Sequence, residues 1–315
     1  MSEFTRRLRS DALASLWSLT DVPGEHWWKH LLSLWRPSGT AAGRQGLRLA
    51  IRDNCLNFYL RGQSVARVAF ARGRPYLETH VKYAFGRDET GHEYARLSDT
   101  TVSCMKLGTS CAYEGLPTLL GWVAEADAHG GAEKTLVDDL VADNGTVIDL
   151  EMGLPAWGEK KTPSRMDCVA LEPDEGSGPF ARIVFWEAKV IGDGRLRSRS
   201  RPEVADQFEG YRRYLQDDGH RARVVEAYAE VCRLLCEVHR MAARLGRIDP
   251  LDPAVLAVAD GRYGLSIDPT PRLLIFGGEG HRVAGGWDGH LAKLRRDHCI
   301  PCLVVEGRPF HFRRI

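Results

Sequence analysis

Two stretches decide how this chain is read: Ser164-Arg-Met-Asp-Cys-Val-Ala-Leu171, and, after a turn, Arg182-Ile-Val-Phe-Trp-Glu-Ala-Lys-Val190. Both are short apolar runs bounded by turn signals, the pattern of buried β-strands. Each carries charge where a strand should not. Asp167 interrupts the first, and Glu187 and Lys189 stand at the end of the second. A lone buried carboxylate costs several kcal/mol unless something pairs with it. Two carboxylates and an amine meeting at neighbouring strand ends would pair. Glu187 and Lys189 are two residues apart, so they share a face, and Asp167 on the adjacent strand can reach it. Such a cluster suits a hard divalent cation, with oxygens from Asp167 and Glu187 and a third from the Ala188 carbonyl. Lys189 would stand beside the attacking water, where it can position the nucleophile or offset charge developing on phosphorus.

The flanking sequence is α/β. A helix is predicted over 132–142, strands over 146–153, 165–171 and 181–191, and helices over 204–216 and 224–245. The second long helix places Val224, Tyr228, Val231, Leu235 and Val238 on one face. Apolar strands at 273–276 and 302–305 bracket a helix at 289–296. Trp186 should pack against a helix on the sheet's other face.

The order helix, strand, strand, strand, helix, with Asp167 and Glu187-Ala188-Lys189, resembles the PD-(D/E)xK nuclease superfamily. Asp167 matches its aspartate and Glu187-x-Lys189 its ExK. Glu133, in Ala132-Glu-Lys-Thr-Leu-Val-Asp-Asp-Leu140, looks like the glutamate many members carry on the first core helix. Gln207 and Tyr211, in Gln207-Phe-Glu-Gly-Tyr-Arg-Arg-Tyr214, look like the QxxxY element of the RecB-like branch. Met166 stands where the family's name has proline, and many members lack that proline. Glu151 is a rival for the role given to Glu133. The resemblance covers residues 121–315. It implies a restriction-endonuclease-like mixed central sheet flanked by helices, and a Mg2+- or Mn2+-dependent phosphodiesterase, with DNA favoured over RNA on family grounds. Restriction or anti-phage defence is the setting it suggests, by analogy alone.

Residues 1–120 lie outside the resemblance and read as an α+β domain. A helical region over 11–36 is split at Pro23-Gly24. Over 46–85, alternating apolar residues (Leu47, Leu49, Ile51; Leu56, Phe58, Leu60; Val68, Phe70) with turn signals between them predict an antiparallel meander. Arg48, Arg52, Arg67 and Arg72 are interleaved, giving either a face that tracks phosphates or a solvated one. Residues 1–86 hold 13 Lys and Arg against 6 Asp and Glu, a surplus of +7 within a net +1. A basic part of that kind can hold a polyanion, and this half is read as recognising nucleic acid, a defence-system partner protein or a second copy of the chain.

Arg195, Arg197, Arg199 and Arg201 follow the ExK strand directly, either as a clamp on a nucleic-acid backbone or as a solvated loop. Cys299-Ile-Pro-Cys302 has metal-ligand spacing, but no second pair accompanies it and Cys302 opens an apolar strand, so a closed four-ligand site is not supported. Gly277-Gly-Glu-Gly280 follows a strand without completing a phosphate-binding lysine motif, and no Gly-x-Ser-x-Gly elbow occurs. The composition, 43% hydrophobic and 27% charged, is that of a globular protein. With no apolar run near the roughly 20 residues needed to cross a bilayer and no apolar core in the basic first ten residues, a cytoplasmic protein with reduced cysteines is expected. Two rivals remain: a catalytically inactive nucleic-acid-binding or scaffold protein on a nuclease-like fold, separated by an assay for metal-dependent cleavage, and an unrelated α/β protein whose Asp167 and Glu187 lie too far apart to share an ion.

Overall fold

The computed structural model describes residues 3–40, 46–86, 93–155, 165–174, 179–198, 201–246, 248–277 and 286–312. Helices α1 (Ser10–Asp21) and α2 (Trp27–Leu34) open the chain. They are separated at Pro23-Gly24, where Gly24 takes φ +81°, a conformation glycine adopts without Cβ strain. The N-terminus of α2 is capped by His26, whose Nδ1 accepts the Trp28 N–H at 3.2 Å.

Next comes an antiparallel sheet of seven strands in sequence order: β1 (Arg48–Arg52), β2 (Cys55–Leu60), β3 (Gln63–Ala71), β4 (Arg74–His80), β5 (Tyr94–Ser98), β6 (Thr101–Cys104) and β7 (Thr109–Ala112). Helix α3 (Val81–Phe85) joins β4 to β5. The meander expected over 46–85 is therefore the first half of a larger sheet. Its four arginines divide: Arg72 is exposed and Arg67 half-exposed, as on a solvated face, whereas Arg48 and Arg52 turn inward. Arg48 is 2% exposed, donates to the carbonyls of Pro37 at 2.7 Å and Thr40 at 3.0 Å, and lies 3.8 Å from Asp138. Arg52 donates to Asp149 and to the Leu150 carbonyl, and Arg67 pairs with Glu78 at 3.1 Å. Buried carbonyls and carboxylates draw the Arg48 and Arg52 guanidinium groups inward, because without them those acceptors would be left unpaired.

The second half holds α4 (Leu116–Ala128), α5 (Ala132–Asp143), β8 (Val147–Gly153), β9 (Arg165–Asp174), β10 (Phe180–Val190), α6 (Glu203–Gln216), α7 (Asp218–Leu245), α8 (Pro253–Ala259), β11 (Gly264–Ile267), β12 (Arg272–Phe276), α9 (Trp287–Arg296) and β13 (Cys302–Val305). Its sheet runs β13-β12-β10-β9-β8. β8, β9 and β10 are antiparallel neighbours, whereas β12 and β13 run parallel to β10. β11 pairs in parallel with the first residues of β10, ahead of β12 on the same side. The fold is mixed α/β with two sheets.

The expected boundary at residue 120 falls inside α4, and one apolar cluster spans both sheets. Leu16, Trp28 and Phe58 pack there with Phe185, Tyr211 and Tyr228. Full burial of one such side chain contributes about 1.5–3 kcal/mol. Asp149 of β8, 1% exposed, adds a polar tie. It accepts from Arg6 Nε at 3.2 Å, from Tyr228 Oη of α7 at 3.1 Å and from Arg52 of β1. Trp186 packs on the sheet's other face with Val137 and Leu140 of α5 and stacks on Phe312, ring centroids 4.7 Å apart. No described helix is long and apolar enough to cross a membrane.

Candidate active site

Strand register brings the acids together. Cys168 pairs with Trp186, so the next step sets Asp167 opposite Glu187. On the far side of β9, Leu150 pairs with Cys168 and Met152 with Met166, which brings Glu151 beside Asp167. Alternation sends Cys168, Trp186 and Ala188 into the apolar cluster against α5, and Asp167, Glu187 and Lys189 to the opposite face. All three are almost fully buried, at 5%, 4% and 2% exposure.

The Lys189 ammonium organises them. It lies 2.5 Å from Glu187 Oε1 and 4.0 Å from Asp167 Oδ2, and donates to the Ala188 carbonyl at 2.7 Å. Asp167 Oδ2 accepts the Ala188 N–H at 2.7 Å. Glu133, in the first turn of α5, brings Oε1 to 3.7 Å from Lys189 and Oε2 to 3.8 Å from Arg195. Glu133 and Glu151 both join the cluster, each facing a different lysine.

That second lysine was not singled out in the sequence. Lys134 Nζ lies 2.5 Å from Glu151 Oε1 and 2.6 Å from Asp167 Oδ1. A lysine next to a helical glutamate reads as solvated, and the only signal for it was its place beside Glu133. Glu151 itself holds φ +49°, a conformation that costs a non-glycine residue on the order of 1–3 kcal/mol and persists where the surroundings impose it.

Burial, then the charge of Asp167, pushes the Glu187 carboxyl up to about 7, against the pull of Lys189 and Gln207. Burial also raises Glu151, opposed by Lys134. For Lys134 burial works against the charge, but Asp167 and Glu151 outweigh it and raise its pKa. Gln207 Nε2 donates to the Arg165 carbonyl at 3.0 Å and to Tyr211 Oη at 2.9 Å, and Tyr211 Oη donates to the same carbonyl. This pair on α6 holds the first residue of β9, two positions before Asp167.

Among the described residues, Glu187 Oε2 is buried without a hydrogen-bond partner. A hard-oxygen donor set with one orphaned carboxylate oxygen fits a divalent cation. Among the described residues, no group of three or more His, Cys, Asp or Glu side chains forms a ready-made cage; ammonium groups stand between the acids.

The arginines after β10 divide. Arg195 is tied to Asp193 at 2.5 Å and faces Glu133. Arg197 turns inward, donating twice to the Ile191 carbonyl at 3.1 and 2.9 Å, with its guanidinium over the Trp287 ring. Arg201 is half-exposed and paired with Asp206 at 2.5 Å. Arg199 lies outside the described residues, as does most of Gly277–Gly280. Cys302 Sγ is buried and faces the Ile300 carbonyl at 3.2 Å, while Cys299 is exposed. A cavity of about 650 Å3 between residues 3–8 and α7 shares no residue with the acid–lysine cluster.

Comparison of the chain with protein-family models, with curated proteins and with solved structures found no match.

Proposed function

We propose that the chain is a metal-dependent nuclease of the PD-(D/E)xK type on a restriction-endonuclease-like fold, hydrolysing phosphodiester bonds in nucleic acid, DNA rather than RNA. One observation carries the reading. Asp167 and Glu187 face each other across β9 and β10, with the Lys189 ammonium 4.0 Å from Asp167 Oδ2 and 2.5 Å from Glu187 Oε1, and among the described residues Glu187 Oε2 is buried without a hydrogen-bond partner. The order α5, β8, β9, β10, α6 within a mixed sheet supports it.

Asp167, Glu187 and the Ala188 carbonyl would hold Mg2+ or Mn2+, which supplies Lewis acidity that strengthens a water nucleophile and offsets charge on phosphoryl oxygens. The chain's own groups do the rest. Lys189, held by Glu187 and the Ala188 carbonyl and faced by Glu133, presents a fixed positive charge to the reacting phosphate without reorganising. Gln207 and Tyr211 fix the start of β9 and so the direction of Asp167. Arg195 and Arg201 offer phosphate contacts beside the site. Restriction or anti-phage defence is the setting suggested by analogy.

The test is cleavage of plasmid, linear duplex, single-stranded DNA and RNA with Mg2+, Mn2+ or chelator, by wild type and Glu187→Ala. Cleavage that needs the cation and is lost in the variant supports the reading. Cleavage in chelator, or at an equal rate in the variant, overturns it. Binding without cleavage by wild type favours an inactive nucleic-acid-binding protein.

A further inference from the structure

We propose that Lys134 is a tethered counter-ion of the acid cluster, held in place by the turn between β2 and β3, and that a divalent cation engages Asp167 only by displacing it. The inference rests on the reading of Asp167 and Glu187 as cation ligands.

Both oxygens of Asp167 are already engaged. Oδ2 takes the Ala188 N–H at 2.7 Å, a bond made by the strand backbone. Oδ1 takes the Lys134 ammonium at 2.6 Å, a bond made by a side chain that can swing. Of the two partners, the lysine is the one that can leave without disturbing the sheet. The ammonium also bonds Glu151 Oε1 at 2.5 Å, so its departure frees a second carboxylate oxygen on the β8 side of Asp167.

The lysine stem is held from the first sheet. Gly62 sits at φ +73°, and a Cβ built on it would stand 2.8 Å from Lys134 Cδ and 2.9 Å from Cγ. Backbone therefore lies directly against the alkyl chain, and only glycine leaves it space at that φ. The neighbouring Arg61 pairs with Asp127 at 2.6 Å and packs beside Gly130, which anchors the turn to the connection between α4 and α5 just ahead of Lys134. The charge count agrees. Glu133, Glu151, Asp167 and Glu187 face Lys134 and Lys189, and Arg195, shared with Asp193, stands 3.8 Å from Glu133; the carboxylates still outnumber the cations, a surplus that a divalent cation would offset. Lys134 neutralises part of it beforehand, and the turn sets how firmly. The first sheet thus reaches the chemistry through the stem of Lys134.

The experiment measures Mn2+ binding to the full-length protein without nucleic acid, by calorimetry and by the electron paramagnetic resonance of free Mn2+. Lys134→Met keeps the stem and removes the charge, and should bind Mn2+ about tenfold more tightly or better, since a unit charge a few ångströms away no longer opposes the cation. Lys134→Arg keeps the charge and should stay near wild type. Gly62→Ala drives the stem aside and should fall between wild type and Lys134→Met. Thermal melts establish that each variant is folded. If Lys134→Met is not, Lys134→Gln replaces it, and Gly62→Ala tests the tether with the charge retained. Equal or weaker Mn2+ binding by the charge-removed protein overturns the counter-ion role and leaves the nuclease reading standing. Absence of Mn2+ binding in wild type and variant alike overturns the cation site itself, and the counter-ion role with it.

Discussion

Asp167 is locked to the strand beside it by the backbone of Ala188, whose N–H donates to Oδ2 at 2.7 Å. The carboxylate is therefore both an acceptor that completes the β9–β10 edge and a charge facing two lysines. These roles can be separated. Asp167→Asn keeps an acceptor for the Ala188 N–H and should fold near wild type, whereas Asp167→Ala leaves that buried amide unpaired, at about 1–3 kcal/mol. Both should lose cleavage. Urea unfolding and nuclease assays on the pair decide it, and equal stability of the two variants would show that the backbone bond contributes nothing.

Lys189→Met should lower the cleavage rate by roughly 100-fold or more, as expected when a preorganised charge at a developing anion is removed. Affinity for uncleaved nucleic acid should change little, since the group is 2% exposed and lies beneath the surface a duplex would touch. A variant that binds weakly but cleaves what it binds at full rate would make Lys189 a docking residue.

Arg195, Arg197 and Arg201 should behave differently from one another. Phosphate contacts release counterions, and each lost contact should flatten the log–log salt dependence of binding by about 0.9 units for a duplex. Arg195→Ala and Arg201→Ala should show that change. Arg197→Ala should leave the slope unchanged and instead lower stability by about 1 kcal/mol, through loss of its bonds to the Ile191 carbonyl. Salt titrations of binding alongside thermal melts distinguish the two patterns.

Asp149→Ala strands two arginines and the Tyr228 hydroxyl. A broken buried ion pair leaves an uncompensated charge, and the expected loss is about 3–5 kcal/mol in urea unfolding. A loss below 1 kcal/mol, roughly that of one exposed pair, would mean water reaches the cluster.

His26 gives a pH dependence. Burial, then the charges of His30 and Lys29, lowers its pKa below the usual 6.5, so the folded state favours the neutral ring that caps α2. As pH falls below 6.5 the unfolded chain takes up this proton first, and stability is lost on the acid side and retained above. His26→Asn keeps a cap that does not titrate. Wild type should lose about 1 kcal/mol more than the variant between pH 7 and pH 5. Parallel curves would remove His26 from the cap.

The elements legible in the sequence were those with long, consistent periodicity: β8 to β10, α6, and the 28-residue α7, whose stripe from Val224 to Val238 is buried as spaced. Those missed lack such a signal. β7 is four residues of alternating half-burial without a large apolar side chain, and β11 is equally short. α4 opens on Leu116-Pro117 and contains Gly121, both of which read as breakers, although proline is tolerated in a first helical turn. Asp167, Glu187 and Lys189 could be set on one face by counting in twos. Lys134 could not, because its reach to Asp167 depends on the β8 register, the unusual backbone of Glu151 and a turn seventy residues upstream. The inward arginines of β1 were illegible for the same reason: what they bond to are carbonyls that only the folded chain assembles.

The apolar cluster common to both sheets determines how the chain can be dissected. A fragment beginning at residue 121 would start in the middle of α4 and strip Arg6 and Arg52 from Asp149. It would bare the face of α7 that α1 and α2 cover and the side of β8 that β1 meets, and greasy surface of that extent drives self-association. Severing the chain between its sheets should give inclusion bodies rather than a working half.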